Sequence, residues 1–364
     1  MDLADLGLSR YPFPIVPPTG PTQVWAGRPK FQEALRNLSA ELRFRDDSSI
    51  DLVWADLGAG KTHAMRYLSW LLSEVGALCI YSELPATPQN FMAIYRELVL
   101  AVPEQGLAEA IRAYRQRQAG RDWLAGPLLA GDRDTATVLW TLAQFADHEQ
   151  GQVARRWLRG EKLTRKECSL IDGVQAMRSD QDALRALTTM MRLLTELPER
   201  RRVVLMLDEF QRIGTVSRQR GLAISAAIKS LYDSCPNRLS IFLSYSFGDA
   251  SSIRFLTSPD VLSRVNRQYR LDHLTKFEAT RFVSELLRAA ASGNASHGEV
   301  FAQAAIVDVV SRLDLDCHGA ITPRRLSQAF GNILSEALRM GERAFPIGVG
   351  FVAEHYGPPV GDEM

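Results

Sequence analysis

The sequence lacks the features that mark several special classes of protein. Its cysteines, Cys79, Cys168, Cys235 and Cys317, include no Cys-x-x-Cys pair, so their spacing predicts neither a zinc site nor a disulfide framework. It has no internal repeat, and no run of about 18 apolar residues that would span a membrane. The acidic N-terminus lacks a signal-peptide pattern. We therefore expect a cytoplasmic protein with no membrane partner.

The sequence also lacks an excess of charge of either sign. It has 43 Lys and Arg against 42 Asp and Glu, a net charge of +1. Because no overall field attracts such a chain to nucleic acid, any such contact must come from a local patch. With 364 residues, 46% of them hydrophobic, the chain is long enough for two or three structural units, each with its own core.

A phosphate-binding loop is the most informative motif that is present. A short apolar run ends in Ala55-Asp56-Leu57-Gly58-Ala59-Gly60-Lys61-Thr62, and an amphipathic segment follows from His63. Strand, glycine loop and helix in this order cradle phosphates with backbone N–H groups. Lys61 is expected to reach the β- and γ-phosphates, and the Thr62 hydroxyl to bind Mg²⁺. The pattern departs from the usual one at Ala55, where the first glycine is expected.

A second motif supplies two adjacent carboxylates. Residues 203–207 are apolar and are followed by Asp208 and Glu209. A buried strand delivers both groups to the carboxyl edge of the sheet, where ligands of parallel sheets bind. We predict that Asp208 holds Mg²⁺ through water and that Glu209 polarises the attacking water as the general base. Together with the glycine loop, this motif predicts nucleotide hydrolysis.

The remaining strand signals define the fold class. Residues 77–83, 239–246 and 268–271 read as further strands, and 89–102 as a helix, which predicts a parallel sheet covered on both faces. Ser244 and Ser246 fall on one face of their strand, where a hydroxyl can hold the attacking water. Residues 105–200 read as helical near 106–118, 136–149 and 179–197. Helices are also expected at 275–287, opened by a capping box of Thr275 and Glu278, and around 298–313 and 322–340.

Two segments have alternative interpretations. Residues 154–166 carry six basic side chains, one acid and Trp157, a composition that binds a phosphate backbone or a base, or else forms a solvated face paired with acids elsewhere. The proline-rich segment 9–24 is either a linker or a strap whose apolar residues, such as Phe13, Ile15 or Val16, lie against an adenine ring.

With these motifs in order, the chain resembles an AAA+ ATPase of the initiator clade, the group of origin-recognition and transposition-regulating ATPases. The resemblance spans residues 25–104 and 200–340. It implies that Gly27 and Arg28 contribute to nucleotide binding and that the strand end at 244–246 is the sensor-1 position, with Ser246 acting there. It also implies that Arg264 is an arginine finger and that Arg324, or else Arg325, is the sensor-2 arginine.

The implied architecture is α/β: a parallel-sheet P-loop core with a large helical insertion and a C-terminal α-helical lid. The expected regions are a strap (1–26), the first part of the core (27–104), the insertion (105–200), the second part of the core (201–272), the lid (273–341) and an irregular tail (342–364). The tail is too short for the winged helix that origin-recognition proteins usually carry. A fainter likeness is to ATP-binding proteins of bacteriophage-exclusion systems.

The function expected from the resemblance is an ATPase using ATP and Mg²⁺, with the nucleotide contacted by residues 58–63, Arg28 and Arg324. It would act as a homo-oligomer, a ring or filament, in a DNA-directed process such as phage defence or mobile-element control. DNA would be bound directly or through a partner, and an effector protein is expected. A nucleotide-gated scaffold with little hydrolysis is the alternative. A protein-remodelling ATPase ranks last, because no aromatic-glycine pore-loop pattern lies between the two nucleotide motifs.

Overall fold

Five strands form one parallel sheet in the spatial order β2-β3-β4-β1-β5. The strands are β1 (Ser49–Ala55), β2 (Leu78–Glu83), β3 (Val203–Asp208), β4 (Leu239–Ser246) and β5 (Val265–Arg270). This computed structural model describes residues 2–118, 122–126, 128–129, 132–196, 202–247, 249–291 and 300–356. The predicted α/β class is confirmed.

The helices of the described residues connect these strands and then form a helical C-terminal region. Helix α1 (Pro29–Phe44) precedes β1, and α2 (Lys61–Glu74) lies between β1 and β2. Between β2 and β3 come α3 (Phe91–Ala101), α4 (Glu104–Arg117), α5 (Arg133–Phe145), α6 (Glu149–Leu158), α7 (Arg165–Leu170) and α8 (Asp180–Thr195). The others are α9 (Arg218–Ser234), α10 (Ala250–Leu256), α11 (Pro259–Leu262), α12 (Lys276–Ala290), α13 (Gln303–Asp316), α14 (Pro323–Met340) and α15 (Val349–His355). None of the helices in the described ranges is both long and apolar enough to cross a membrane.

Strand burial explains which strands were readable from the sequence. Every residue of β1 and β3 is buried, and apart from Ser49, Asp51 and Asp208 both strands are apolar, as parallel strands inside a covered sheet tend to be. The last strand, β5, alternates between half-buried and exposed residues, as an edge strand does. Its predicted start, residue 268, was wrong by three residues, because Asn266 and Arg267 made the first half of the strand look like a polar loop.

The segment between β2 and β3 is helical in all its regular elements within the described residues, as predicted. The predicted stretch 136–149 is interrupted, since α5 ends at Phe145 and α6 begins at Glu149. Insertion residues such as Ile111, Leu139 and Leu187 belong to the same hydrophobic cluster as the sheet residues Leu205 and Ile241. The helical segment therefore shares its core with the sheet. The predicted boundary at residues 200 and 201 lies outside the described residues.

A second hydrophobic cluster joins the N-terminal segment to helices α12–α15. The predicted capping box at the start of α12 is present, with Thr275 and Glu278 bonding reciprocally to each other's backbone N–H groups. The tail prediction was wrong where it can be compared: α15 lies within 342–364, because Val352 is fully buried in this cluster and packing outweighs the helix-breaking glycines. Residues 298–299, predicted as helix, and 357–364, predicted as irregular, lie outside the described residues.

The chain divides into two compact units. The first contains residues 1–38, 55–71 and 271–364, and the second contains residues 39–54 and 72–270. The glycine loop and the C-terminal helices thus belong to the first unit. The sheet, apart from the last residue of β1 (Ala55), belongs to the second unit, as do Asp208 and Glu209.

Candidate functional site: a phosphate loop and an acidic strand end

The glycine loop follows β1 directly and leads into α2, which begins at Lys61. Gly58 and Gly60 have φ of +78° and +96°, conformations that glycine adopts at no steric cost. The first turn of α2 contributes N–H groups that lack partners within the helix. The loop therefore has the backbone geometry of an anion cradle.

Lys61 is 5% exposed, and its Nζ donates to the carbonyl oxygens of Ala55 at 3.2 Å and Asp56 at 3.1 Å. These two carbonyl oxygens hold the ammonium group beside the loop. Ala55, which replaces the usual first glycine, is 2% exposed, so its methyl group is accommodated within the fold. Thr62 follows in the first turn of α2, where its hydroxyl is half-buried. These residues fit a bound triphosphate and Mg²⁺.

His63 was predicted to contact the nucleotide, but its described contacts lie elsewhere. Its Nε2 lies 2.8 Å from the carbonyl oxygen of Val24, and its ring lies 6.0 Å from that of Trp25. Burial lowers the pKa of the imidazole, which favours the neutral form. His63 therefore ties the N-terminal segment to α2.

Arg28 is hydrogen-bonded to the glycine loop. Its side chain donates to the carbonyl oxygen of Ala59 at 2.6 Å and to that of Asp272 at 2.5 Å, and the residue is 8% exposed. Burial lowers its pKa to about 10, so it stays cationic at neutral pH. Gly27 precedes it with φ of +66° and donates its N–H to Glu285. The pair was predicted to bind nucleotide, and in this structure Arg28 binds the loop that would do so.

Arg324 lies beside the glycine loop in the first turn of α14. Its backbone N–H donates to the carbonyl oxygen of Gly58 at 3.4 Å, and a Cβ atom added at Gly58 would lie 3.1 Å from the Cβ of Arg324. Gly58 is thus required both for its positive φ and for this close approach. Arg324 itself is exposed, as is the alternative candidate Arg325, whose guanidinium donates to the carbonyl oxygen of Ala320 at 3.5 Å.

Asp208 ends β3 and is 1% exposed. One carboxylate oxygen accepts a hydrogen bond from the hydroxyl of Tyr81 on β2, and the other from that of Ser244 on β4, both at 2.6 Å. These two hydrogen bonds, from β2 and β4, fix the orientation of the Asp208 carboxylate. The carboxyl ends of β1 and β5 lie at this same edge of the sheet, because all five strands are parallel.

Glu209 follows in a left-handed conformation, with φ of 56° and ψ of 37°. A side chain in this region costs about 1–2 kcal/mol, and such strain is concentrated at functional sites. Its carboxylate accepts hydrogen bonds from the side-chain amide of Gln211 and, at 3.3 Å, from the hydroxyl of Ser246. Gln211 in turn accepts a hydrogen bond from the backbone N–H of Ser246 at 3.0 Å. Ser246, predicted to hold the attacking water, therefore contacts the predicted base.

Sequence reasoning missed Tyr81 and Gln211. Tyr81 lies on a predicted strand, 77–83, but the pairing of that strand with β3 was not predicted. Gln211 carried no signal, because it lies in an irregular turn after the strand, where periodicity gives no direction.

Arg264, the predicted finger, lies between α11 and β5 with 48% of its side chain exposed. Its Nε is 3.5 Å from a carboxylate oxygen of Asp233 in α9, and Asp233 also accepts from Lys229 at 2.8 Å. This arginine is therefore at the surface of the second unit, in a long ion pair.

The basic segment 154–166 favours the second of its two interpretations. Trp157 is 3% exposed and its indole N–H donates to the carbonyl oxygen of Gln175, so it is not available for stacking on a base. Arg155 pairs with Glu104, and Arg156 with Glu161 and Glu167. The side chains of Arg159, Lys162, Arg165 and Lys166 are exposed.

The adenine-strap interpretation fails for Phe13. Its ring is 1% exposed and packs against Phe301 and Phe330, with centroids 6.1 and 5.6 Å away. Ile15 and Val16 are 51% and 75% exposed, so they remain candidates for such a contact.

Comparison with known proteins identifies the class of fold. No family model matches the sequence, and no curated protein matches it. Among solved structures, the ORC2 protein of Aeropyrum pernix in its ADPNP–ADP complexes is 14% identical, with a TM-score of 0.57 over 94% of this chain and 70% of that one. Cdc6p from Pyrobaculum aerophilum is 12% identical, with a TM-score of 0.53 over 94% and 68%. Drosophila ORC bound to DNA is 10% identical, with a TM-score of 0.51 over 94% and 63%.

The chain has the α/β fold of the AAA+ ATPases. Within that class, its structural similarity is to the ORC/Cdc6 initiator proteins and extends over most of the chain, which confirms the predicted resemblance at the level of fold. The likeness to bacteriophage-exclusion proteins gains no support from these comparisons.

Proposed function

We propose that the protein is a Mg²⁺-dependent ATPase of AAA+ type that acts as an oligomeric switch or motor in a DNA-directed process. The observation that carries this proposal is the glycine loop, in which two glycines adopt positive φ and the buried Lys61 ammonium begins α2. The similar ORC2 protein was solved in ADPNP–ADP complexes, which supports a nucleotide as the ligand of this loop.

In this proposal, different residues bind the phosphates, hold Mg²⁺ and activate the attacking water. The loop N–H groups and Lys61 bind the phosphates, and Arg324 contacts them from the start of α14. Thr62 would hold Mg²⁺ directly and Asp208 would hold it through water, and the ion would neutralise charge on the phosphates. Glu209 takes the proton of the attacking water at its carboxylate, and Ser246 and Gln211 hold that carboxylate in place.

Replacing Lys61 by alanine should weaken ATP binding by at least about tenfold, because one charge-assisted contact with the triphosphate is lost. ATP affinity by titration calorimetry and ATP turnover, each with and without duplex DNA, test the proposal. Lys30→Ala, a change of the same charge at an exposed position in α1, is the matched control. Equal ATP affinity in wild-type and Lys61→Ala protein would contradict the assignment of the loop.

Replacing Tyr81 by phenylalanine should raise the Mg²⁺ concentration needed for half-maximal turnover by about 10–100-fold, the usual cost of losing a hydrogen bond that orients a metal-binding group. The phenol donates to Asp208 at 2.6 Å, and phenylalanine removes this bond while keeping the ring. Tyr11→Phe, which removes a bond to the carbonyl oxygen of Gly331, is the control. An unchanged Mg²⁺ dependence would show that Tyr81 does not position the carboxylate.

Oligomerisation, DNA and an effector complete the proposal. A finger arginine supplied by a neighbouring subunit would couple hydrolysis to assembly into a ring or filament. The similar Drosophila ORC was solved bound to DNA, which supports DNA as a partner here, held directly or through another protein. Phage defence and mobile-element control are the DNA-directed processes that the sequence resemblance suggests.

A nucleotide-gated scaffold is the second candidate function. It is favoured by one observation: the carboxylate of Glu209 accepts hydrogen bonds from both Gln211 and Ser246, which occupy acceptor positions that the attacking water would need. Such a protein would bind ATP, hydrolyse it negligibly and recruit an effector. ATP binding without turnover, under all the conditions above, would favour this candidate.

A further inference from the structure

A cavity of about 730 Å³ lies within the second unit. Its walls are the start of α3, the loop joining α6 to α7, and the segment that leads into α8. They comprise Asn90, Met92, Arg96, Gly160, Lys162, Leu163, Ala176, Met177, Arg178, Ser179 and Asp180. Its volume falls within the range of about 300–1,000 Å³ that is typical of small-molecule sites.

The floor of the cavity is apolar and built around Gly160. This glycine has φ of +64°, and a Cβ atom added to it would lie 3.0 Å from the sulfur of Met92 and 3.6 Å from that of Met177. Leu163 adds a branched side chain to the same lining. Thioether sulfurs make favourable contacts with aromatic rings, so this floor suits a flat aromatic group.

Three cationic side chains line the same cavity. Arg96 is held in place by its hydrogen bond to the carbonyl oxygen of Gly160 at 2.8 Å. Lys162 and Arg178 are exposed, and their side chains have no hydrogen-bond or ion-pair partner among the described residues. Two cations with unused donors therefore lie on one cavity.

Three acidic groups lie near these cations, and each has other partners. Asp182, whose carboxylate accepts from the backbone N–H of Arg178 at 3.0 Å, is paired with Arg185. Asp180, the one acid of the lining, accepts hydrogen bonds from the backbone N–H groups of Phe91 at 3.1 Å and Met92 at 2.9 Å. Glu161, next to Lys162 in the chain, is paired with Arg156. The cavity is consequently left with an excess of positive charge, which favours a ligand carrying more than one negative charge.

We propose that this cavity binds a free nucleoside monophosphate, with its base on the methionine floor and its phosphate between Lys162 and Arg178. A phosphate monoester carries a charge of about −1.5 to −2 at pH 7 and three acceptor oxygens, which complements two free cations and Arg96 better than a monoanionic carboxylate does. Guanidinium groups match phosphate oxygens in geometry. The site is separate from the glycine loop and does not depend on the proposed ATPase activity.

Titration calorimetry with each of the four ribonucleoside monophosphates, with the nucleosides and with inorganic phosphate tests the proposal. Four full-length proteins are compared: wild type, Lys162→Gln/Arg178→Gln, Lys61→Ala, and Arg165→Gln/Lys166→Gln. The last is the matched control, since it makes the same charge change at exposed positions in α7 outside the cavity lining. The two double variants should retain the fold, because the side chains that they replace are all exposed: Lys162, Arg178, Arg165 and Lys166.

At least one monophosphate should bind wild-type, Lys61→Ala and control proteins alike, and about tenfold or more weakly to Lys162→Gln/Arg178→Gln, because two charged donors are lost. Its nucleoside and inorganic phosphate should each bind more weakly than the monophosphate. Failure of all four monophosphates to bind would overturn the proposal. So would binding that is lost only in Lys61→Ala, which places the ligand at the glycine loop, or phosphate binding as tight as that of the nucleotide.

Discussion

Replacing Arg264 by alanine is expected to reduce ATP hydrolysis by about 10³-fold or more, the scale of arginine-finger loss, and to leave ATP affinity nearly intact. The side chain is 48% exposed, and its ion pair with Asp233 is long, at 3.5 Å. Exposed pairs of this kind hold a side chain weakly, so Arg264 is free to reach a nucleotide bound by a neighbouring subunit. Turnover and ATP affinity, measured on the same preparation, check both halves of this expectation.

Two variants separate a finger from a structural arginine. Lys229→Ala removes the other cation that pairs with Asp233 and changes the net charge by the same amount as Arg264→Ala. It should keep wild-type turnover. Asp233→Asn removes the carboxylate that Arg264 contacts, and should keep it too. If Asp233→Asn reproduced the loss seen in Arg264→Ala, Arg264 would act through this ion pair instead of on a nucleotide.

Mixing experiments test whether Arg264 acts in its own subunit or in the next. Arg264→Ala protomers mixed with Lys61→Ala protomers should regain part of the lost activity, because some interfaces then combine one intact nucleotide loop with one intact finger. Native mass spectrometry would establish that the two variants assemble together. Co-assembly without recovered turnover would mean that Arg264 is not supplied in trans, and the argument for catalysis at a subunit interface would fall with it.

Replacing Glu209 by glutamine should slow hydrolysis by about 10²–10⁴-fold while ATP and Mg²⁺ still bind, since only the general base is removed. Glutamine retains the shape of the side chain, and its carbonyl oxygen can still accept from Gln211. Asp208 keeps its bonds to Tyr81 and Ser244 in this variant. Single-turnover hydrolysis, measured beside ATP affinity, distinguishes a slow chemical step from weak binding.

Glu83→Gln is the matched control for this experiment. Glu83 ends β2 in register with Asp208, and it pairs with Arg212, so the substitution makes the same chemical change at the same edge of the sheet. It should leave turnover near the wild-type rate. Hydrolysis by Glu209→Gln at the wild-type rate would assign the base to another group, and an equal loss in both variants would point to a general effect of charge at this edge.

Much of the fold was predictable because burial leaves a direct record in the sequence. The buried strands β3 and β4 are largely apolar, and their predicted and observed bounds agree to within one residue. The start of α12 was predictable for a local reason, as the capping residues Thr275 and Glu278 lie three positions apart. The start of the edge strand β5 and the short helix α15 were misread, because β5 is stabilised by pairing with β1 and α15 by the burial of Val352.

The candidate site was predictable only in part. Lys61, Asp208 and Glu209 belong to motifs in which a few adjacent residues carry the chemistry, so their positions follow from the chain alone. The roles of Arg28 and Trp157 do not, because each depends on a partner remote in sequence: the carbonyl oxygen of Asp272 for Arg28 and that of Gln175 for Trp157. Burial places Arg28 in contact with the loop, and it makes Trp157, for which stacking on a base was one of two open alternatives, part of the core.

By itself the sequence determined that a glycine loop follows a buried strand and that two carboxylates end another, since both are properties of neighbouring residues. Tertiary structure alone decided that Tyr81 and Ser244 orient Asp208, and that Gln211 and Ser246 hold Glu209. It also decided that Lys162 and Arg178 line one cavity with two methionines. The physical reason is that hydrogen bonds and cavity walls form between groups that the fold brings together from separate strands, helices and loops, and no local pattern in the chain records which groups will meet.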